Sequence, residues 1–134
     1  MKEVRDHTLE YLLAFDGRLH WMLDDYHLKF EIRKIKPTAY RPHGLRYAFT
    51  LHDPSGKRLL GFDNAHAVMP PGAHKERPAT ADHWHRTEDD KGRPYKFVDA
   101  DKLLADFFKE VNRVLKERGI SDEIVRVTVR RRKK

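Results

Sequence analysis

The stretch from Leu45 to Asp63 reads LRYAFTLHDPSGKRLLGFD and contains two apolar runs separated by a turn sequence. Its first eight residues alternate large apolar side chains with small or polar ones, the period of two expected of a strand with one buried face. The sequence DPSG at 53–56 is typical of a β-turn, and a second apolar run follows it at 58–62. The stretch therefore predicts a β-hairpin.

Similar alternation predicts strands on either side of this hairpin. Apolar residues occupy every second position from Tyr26 to Ile32, and Pro37 ends that segment. Alternating valines from Val125 to Val129 predict a last strand near the end of the chain. A short strand is also predicted at 95–98.

The N-terminal segment predicts another hairpin. Alternating apolar residues predict strands at 9–15 and 19–23, and Asp16-Gly17 is a turn signal between them. The segment Leu9-Glu10-Tyr11-Leu12-Leu13 could also be helical.

One long helix is predicted after Asp99, which can cap its first turn. Gly119 marks its end, and basic residues precede that glycine. Its apolar stripe consists of Leu103, Leu104, Phe107, Phe108, Val111, Val114 and Leu115.

These elements predict an α+β fold, an antiparallel sheet of about five to six strands packed by one long C-terminal α-helix. A chain of 134 residues has room for one hydrophobic core. We therefore expect a single domain over residues 1–129, and residues 130–134 read as a flexible basic tail.

Composition limits the function classes. The chain has no cysteine, which excludes disulfides, thiolate zinc sites and thiol nucleophiles and fits a cytoplasmic protein. No export signal or membrane-length apolar stretch is recognisable. The net charge is +7, but six of the 28 basic residues lie at Arg126 and 130–134, so residues 1–125 hold 22 bases against 21 acids. The body of the chain is thus nearly neutral.

Histidines and acids form two clusters that could carry chemistry. Asp63, Asn64 and His66 follow a predicted strand, a position at which scaffolds often present reactive groups. His83 and His85 lie two residues apart in a long irregular stretch from Val68 to Pro94, so both can point the same way. The alternative is structural: Asp63 and Asn64 would bond the backbone of a turn, and His66 would cap the sheet.

Histidines near arginines suit metal-free RNA cleavage, in which imidazoles serve as general base and acid and cations stabilise the phosphorane. His66 and one of His83 or His85 would transfer protons, and Asp63 would orient an imidazole. The remaining candidates are substrate-binding residues, namely Arg46, Arg41, Lys29, Arg33 and Asn64 for polar contacts, and Trp84 and Tyr95 for stacking on bases.

Several blocks of the sequence resemble the TumE family of toxins. They are RPHGLRY at 41–47, LHD at 51–53, LLGFDNAH at 59–66, DHWH at 82–85 and YKFVDA at 95–100, and the resemblance spans roughly residues 26–115. It implies the toxin of a type II toxin-antitoxin system, and an antitoxin partner with a helix-turn-helix DNA-binding domain.

The leading hypothesis is therefore a cytoplasmic toxin that acts as a metal-independent endoribonuclease, with RNA as substrate and with no cofactor and no membrane association. One alternative is a metal-dependent hydrolase or nucleotidyl-modifying toxin in which His83, His85 and His66 bind the metal. Another is a non-catalytic module that binds nucleic acid or protein through a sheet edge and the basic tail.

Overall fold

The computed structural model describes residues 7–38, 43–64, 82–85 and 93–130. Within these ranges the chain forms seven β-strands and two α-helices. The strands are β1 Arg18–Met22, β2 His27–Lys34, β3 Leu45–His52, β4 Arg58–Asp63, β5 His83–His85, β6 Arg93–Pro94 and β7 Ile124–Val129. The helices are α1 His7–Leu13 and α2 Ala100–Arg118.

The strands form one antiparallel sheet in the order β6-β5-β4-β3-β2-β1-β7. Strands β1 to β6 follow one another across the sheet, and β7 returns after α2 to pair with β1 at the opposite edge. The α+β class and the long C-terminal helix are thereby confirmed. The predicted hairpin of β3 and β4 is also confirmed, with Phe49 opposite Phe62.

Both helices pack on the same face of the sheet, called here the helix face. The ring of Phe107 on α2 packs edge-on against Phe30 and Phe62, with ring centroids 5.7 Å apart in each case. Leu12 on α1 is fully buried in the same core. The opposite face, called here the outer face, carries the polar side chains that alternate with the core residues.

The ends of α2 follow the predicted signals. The Asp99 carboxylate accepts a hydrogen bond of 2.8 Å from the N–H of Lys102, which satisfies one of the unpaired donors of the first turn. Gly119 ends the helix with a φ of 70°, a left-handed conformation that glycine adopts without steric cost.

The predicted strand at 9–15 is wrong, because His7–Leu13 forms α1. Leu9, Leu12 and Leu13 are spaced three and four apart, which places them on one side of a helix against the core. The helical alternative for Leu9–Leu13 is therefore confirmed. Gly17, with a φ of 79°, then joins α1 to β1.

The predicted strand at 95–98 is also wrong. Tyr95 to Val98 lies outside any strand, and the short strand β6 precedes it at Arg93–Pro94. The side chain of Tyr95 is buried, whereas Val98 is exposed. The stretch from Val68 to Pro94, predicted to be irregular, contributes Asp82, β5 and β6, and its other residues lie outside the described ranges.

None of the helices that the structure describes combines the length and the apolar character needed to cross a membrane.

Candidate functional site

Polar side chains from four strands form rows on the outer face. Residues opposite each other in register point to the same face, so the pairing of Ala48 with both Glu31 and Asp63 places all three there. From β2 towards β5 the register positions form the rows Arg33–Arg46, Glu31–Ala48–Asp63–His83 and Lys29–Thr50–Gly61–His85.

A carboxylate and an imidazole meet at the β5 end of these rows. Oδ2 of Asp63 lies 3.5 Å from Nε2 of His85, and 15% and 9% of the two side chains are exposed. Antiparallel pairing of β4 with β5 brings them together, because Asp63 lies opposite His83 and Gly61 lies opposite His85. A carboxylate at this position can orient an imidazole for proton transfer.

The other two predicted catalytic histidines are only partly described. The backbone of His83 belongs to β5, but its side chain lies outside the described structure. His66 also lies outside the described residues, as does Arg41 among the predicted cations.

The other three predicted cations share the outer face. Arg33 and Arg46 are exposed and lie directly opposite each other in the pairing of β2 with β3. Within the described part of the chain, neither guanidinium forms an ion pair. Lys29 lies two rows away, beyond the row of Glu31, and its Nζ is 3.2 Å from Oε1 of Glu31. Two like charges directly opposite each other destabilise a sheet, so the Arg33–Arg46 pair is unfavourable unless an anion bridges the two guanidiniums.

Small residues lie between the cations and the Asp63–His85 pair. Ala48, Thr50 and Gly61 occupy the middle of the face. The side chain of Arg58 crosses this area, because a Cβ added to Gly61 would lie 3.3 Å from Arg58 Cδ. Gly61 thus leaves room for the side chain of Arg58, a fourth cation, beside the Asp63–His85 pair.

A buried network that the sequence analysis did not identify lies near the same end of the sheet. Asp82 is 3% exposed and accepts a hydrogen bond of 2.6 Å from the Tyr47 hydroxyl. Nε2 of His43 lies 3.0 Å from each carboxylate oxygen of Asp82. His43 and Asp82 belong to the RPHG and DHWH blocks, but only the folded chain reveals their contact.

The hydrogen bonds identify the donors and acceptors of this network. Nδ1 of His43 accepts the N–H of Leu45 at 3.2 Å, so Nε2 carries the proton that is donated to Asp82. Burial, followed by the adjacent Asp82 charge, raises the pKa of Tyr47 well above its usual value, and its hydroxyl therefore stays a donor. Both ring nitrogens of His43 are engaged within the protein, so the network links the segments and does not face substrate.

Asn64 also bonds the protein itself. Its Nδ2 donates to the carbonyl of Leu45 at 2.7 Å, and its Oδ1 accepts the N–H of Tyr47 at 2.9 Å. Asn64 is fully buried. These bonds continue the pairing of β3 with β4 beyond Asp63, which agrees with the structural alternative for this asparagine.

Trp84 and Tyr95 lie on the helix face, away from the cations. The rings of Trp84 and Phe62 stack with centroids 5.7 Å apart, and the Tyr95 ring meets Phe62 edge-on at 5.2 Å. The Tyr95 hydroxyl donates to Oδ2 of Asp106 at 2.7 Å. The structure therefore separates these two aromatic residues from the row of predicted phosphate-binding residues.

A continuous stack of planar groups crosses the outer face towards β7. The guanidinium of Arg126 lies 4.9 Å from the Trp21 ring, which in turn lies 4.5 Å from His27. His27 and His52 stack at 5.1 Å. Burial, together with the charges of His27, Lys29 and Arg58, lowers the pKa of His52, although a bond to the Gly56 carbonyl opposes this shift.

Potential metal ligands are not clustered in the part of the chain that the structure describes. No group of three or more histidine and acidic residues there could hold an ion. His66 and the His83 side chain lie outside this search.

The fold and the face together define a small α+β protein that presents charged and histidine side chains on an open sheet. Residues 4–115 match the protein family described as Toxin TumE. The chain belongs to this family, which makes it the toxin of a toxin-antitoxin module and implies an antitoxin partner. No curated protein and no solved structure shows significant similarity to it.

Proposed function

We propose that this toxin is a metal-independent endoribonuclease of a type II toxin-antitoxin system and that it binds and cleaves cellular RNA on the outer face. The observation that carries the proposal is the opposed pair Arg33 and Arg46, on the same face as Asp63 and His85.

The arginine pair supports binding of a phosphate. A guanidinium offers several N–H donors in a plane and matches the geometry of phosphate oxygens. Two exposed guanidiniums opposite each other repel, and a bound phosphate converts that repulsion into attraction. Lys29 and, outside the described residues, Arg41 are further candidates for contacts with the RNA backbone.

The Asp63–His85 pair supports the proton transfers. A base removes the proton of a ribose 2′-OH, and the 2′-oxygen attacks phosphorus. The bond from phosphorus to the 5′-oxygen breaks as an acid protonates that oxygen, which leaves a 2′,3′-cyclic phosphate and a 5′-hydroxyl. His85, oriented by Asp63, serves as one of these groups, and His66 or His83 serves as the other.

The family and the composition also support a proposal for the partner and the compartment. The antitoxin carries a helix-turn-helix DNA-binding domain and neutralises the toxin in the cytoplasm. Membership of a toxin family and the absence of cysteine support this assignment.

The test is induced expression of the wild type and of His85→Gln, Asp63→Asn, His66→Ala and His83→Ala, with growth and total RNA integrity measured together. The wild type should arrest growth and produce RNA fragments with 5′-hydroxyl ends. His85→Gln should abolish both effects and still bind antitoxin. His52→Gln is the matched control, since His52 lies on the same face and outside the proposed site, and it should remain toxic.

Phosphate binding is tested separately. Arg46→Ala and Arg33→Ala should weaken binding of a labelled single-stranded RNA by about tenfold each, and Lys109→Ala, which removes an exposed cation from α2, should not. Growth arrest with intact RNA would overturn the nuclease proposal. Cleavage that is lost on chelation and restored by a divalent ion would favour the metal-dependent alternative.

A further inference from the structure

Strand β7 forms an edge of the sheet and is largely uncovered. Val127 is 50% exposed and Val129 is 65% exposed, and Ile124 and Val125 are exposed as well. A long apolar edge strand is a template for another strand, and proteins usually shield such edges.

The open edge presents the main-chain groups of the valines. The N–H of Arg130 donates to the Gly17 carbonyl at 2.6 Å, and the same register pairs Thr128 with Leu19 and Arg126 with Trp21. Hydrogen-bonded pairs alternate along an antiparallel ladder. Thr128 and Arg126 therefore bond β1, whereas the N–H and C=O of Val127 and Val129 point away from the sheet.

The side chains of β7 divide by face into two kinds. Val127 lies opposite His20 and Val129 opposite Arg18, which places both valines on the helix face. Arg126 and Thr128 lie on the outer face, where Arg126 covers Trp21. Arg130 follows with the same alternation, and four more basic residues complete the sequence. The edge is thus apolar on one side and cationic on the other.

We infer that the β7 edge binds an extended antitoxin segment in which apolar and acidic residues alternate, and that this segment adds to the sheet as a further strand. Its apolar side chains lie beside Val127 and Val129, and its acidic side chains lie beside Arg126 and Arg130. The inference rests on the antitoxin partner that the family implies, and it is independent of RNA cleavage.

A second copy of this chain is a poorer occupant of the edge. Pairing β7 with another β7 would bring the arginines of both copies onto one strip of the same face, where like charges repel. An acidic segment instead makes opposite-charge pairs at the same positions.

The test is residue-resolved amide hydrogen exchange of the full chain, free and in its co-expressed antitoxin complex. The amides of Val127 and Val129 should exchange rapidly in the free chain and become at least about tenfold slower in the complex. The amides of Thr128 and Arg130 already bond β1 and should change less. Equal exchange of the Val127 and Val129 amides in the two samples would overturn the inference. Protection of these amides in the free chain that increases with the concentration of the chain would also overturn it.

Variants test the same edge through binding. The double variant Val127→Glu, Val129→Glu places carboxylates beside the apolar side chains of the segment and should weaken the complex by about tenfold or more. Val98→Glu is the matched control because Val98 is as exposed as these valines and lies outside β7. Circular dichroism checks that each variant is folded. Undiminished antitoxin binding by the folded double variant would overturn the inference, whatever the result of the RNA assays.

Discussion

Nε2 of His43 lies 3.0 Å from both carboxylate oxygens of Asp82, although the two residues are 39 positions apart in the chain. Asp82 immediately precedes β5, and its carbonyl also accepts the N–H of Tyr95. This contact therefore ties the end of the sheet that holds Asp63 and His85 to the start of β3. We regard it as the support on which the candidate site depends.

The first prediction concerns this support. Asp82→Ala leaves the Tyr47 hydroxyl and the His43 N–H without their acceptor in a buried position. Each lost partner costs about 1–3 kcal/mol, so the free energy of unfolding should fall by about 2–6 kcal/mol. Urea denaturation at neutral pH measures the change. Asp122→Ala, on an exposed residue, should change it by less than about 0.5 kcal/mol, and a similarly small effect of Asp82→Ala would contradict the prediction.

The second prediction separates a structural from a substrate-binding Asn64. Asn64→Ala removes the partners of the Leu45 carbonyl and the Tyr47 N–H, and should lower the free energy of unfolding by about 2–4 kcal/mol. Any loss of toxicity should then follow the loss of folded protein and recover at lower temperature. A variant with wild-type stability and no toxicity would instead indicate that Asn64 contacts the substrate.

The third prediction concerns pH. The His20 ring packs between Phe15 and Phe30, and its buried Nε2 has no hydrogen-bond partner among the described residues. Burial, followed by the Arg18 charge, lowers the pKa of His20. As the pH falls, His20 therefore becomes protonated in the unfolded chain before it becomes protonated in the folded chain. The free energy that neutral His20 contributes to stability is therefore fully present above about pH 6.5. It declines as the pH falls from there towards the pKa of His20 in the folded chain.

The variant His20→Leu removes both the titration and the unpaired nitrogen. It should lose less stability than the wild type between pH 7.5 and pH 5, as measured by urea denaturation at the two values. His52→Leu should reduce the pH dependence in the same direction, because the pKa of His52 is also lowered. An unchanged difference between the two pH values in His20→Leu would contradict the prediction.

The fourth prediction concerns the aromatic residues on the helix face. Tyr95→Phe removes only the bond to Asp106 and should lower the free energy of unfolding by about 1 kcal/mol. Trp84→Phe keeps an aromatic ring against Phe62 and should leave toxicity intact. Thermal unfolding and the growth assay measure the two effects. Full stability with lost toxicity in either variant would indicate that the altered side chain contacts the RNA.

Elements whose signals are local could be predicted from the sequence. The period of two from Leu45 to Leu51, the turn at 53–56 and the apolar stripe of α2 each specify an element without help from distant residues. The cap at Asp99 and the stop at Gly119 likewise act within one helical turn.

Local pattern was insufficient where an element is short. Leu9 to Phe15 fits alternation and also fits helical spacing, and packing of Leu12 into the core decides for α1. A helix of seven residues gains most of its stability from such tertiary contacts rather than from propensity.

Which polar groups meet depends on the pairing of strands that are distant in the sequence. The sequence indicated that Asp63 orients an imidazole, but antiparallel pairing of β4 with β5 supplies His85 at 3.5 Å. The same pairing turns Trp84 to the opposite face, because successive side chains of a strand point to opposite sides. The contact of His43 with Asp82 requires the sheet to close a separation of 39 residues, and no local spacing encodes such a contact. A strand pattern thus fixes which face a residue takes, and the order of strands fixes its neighbours.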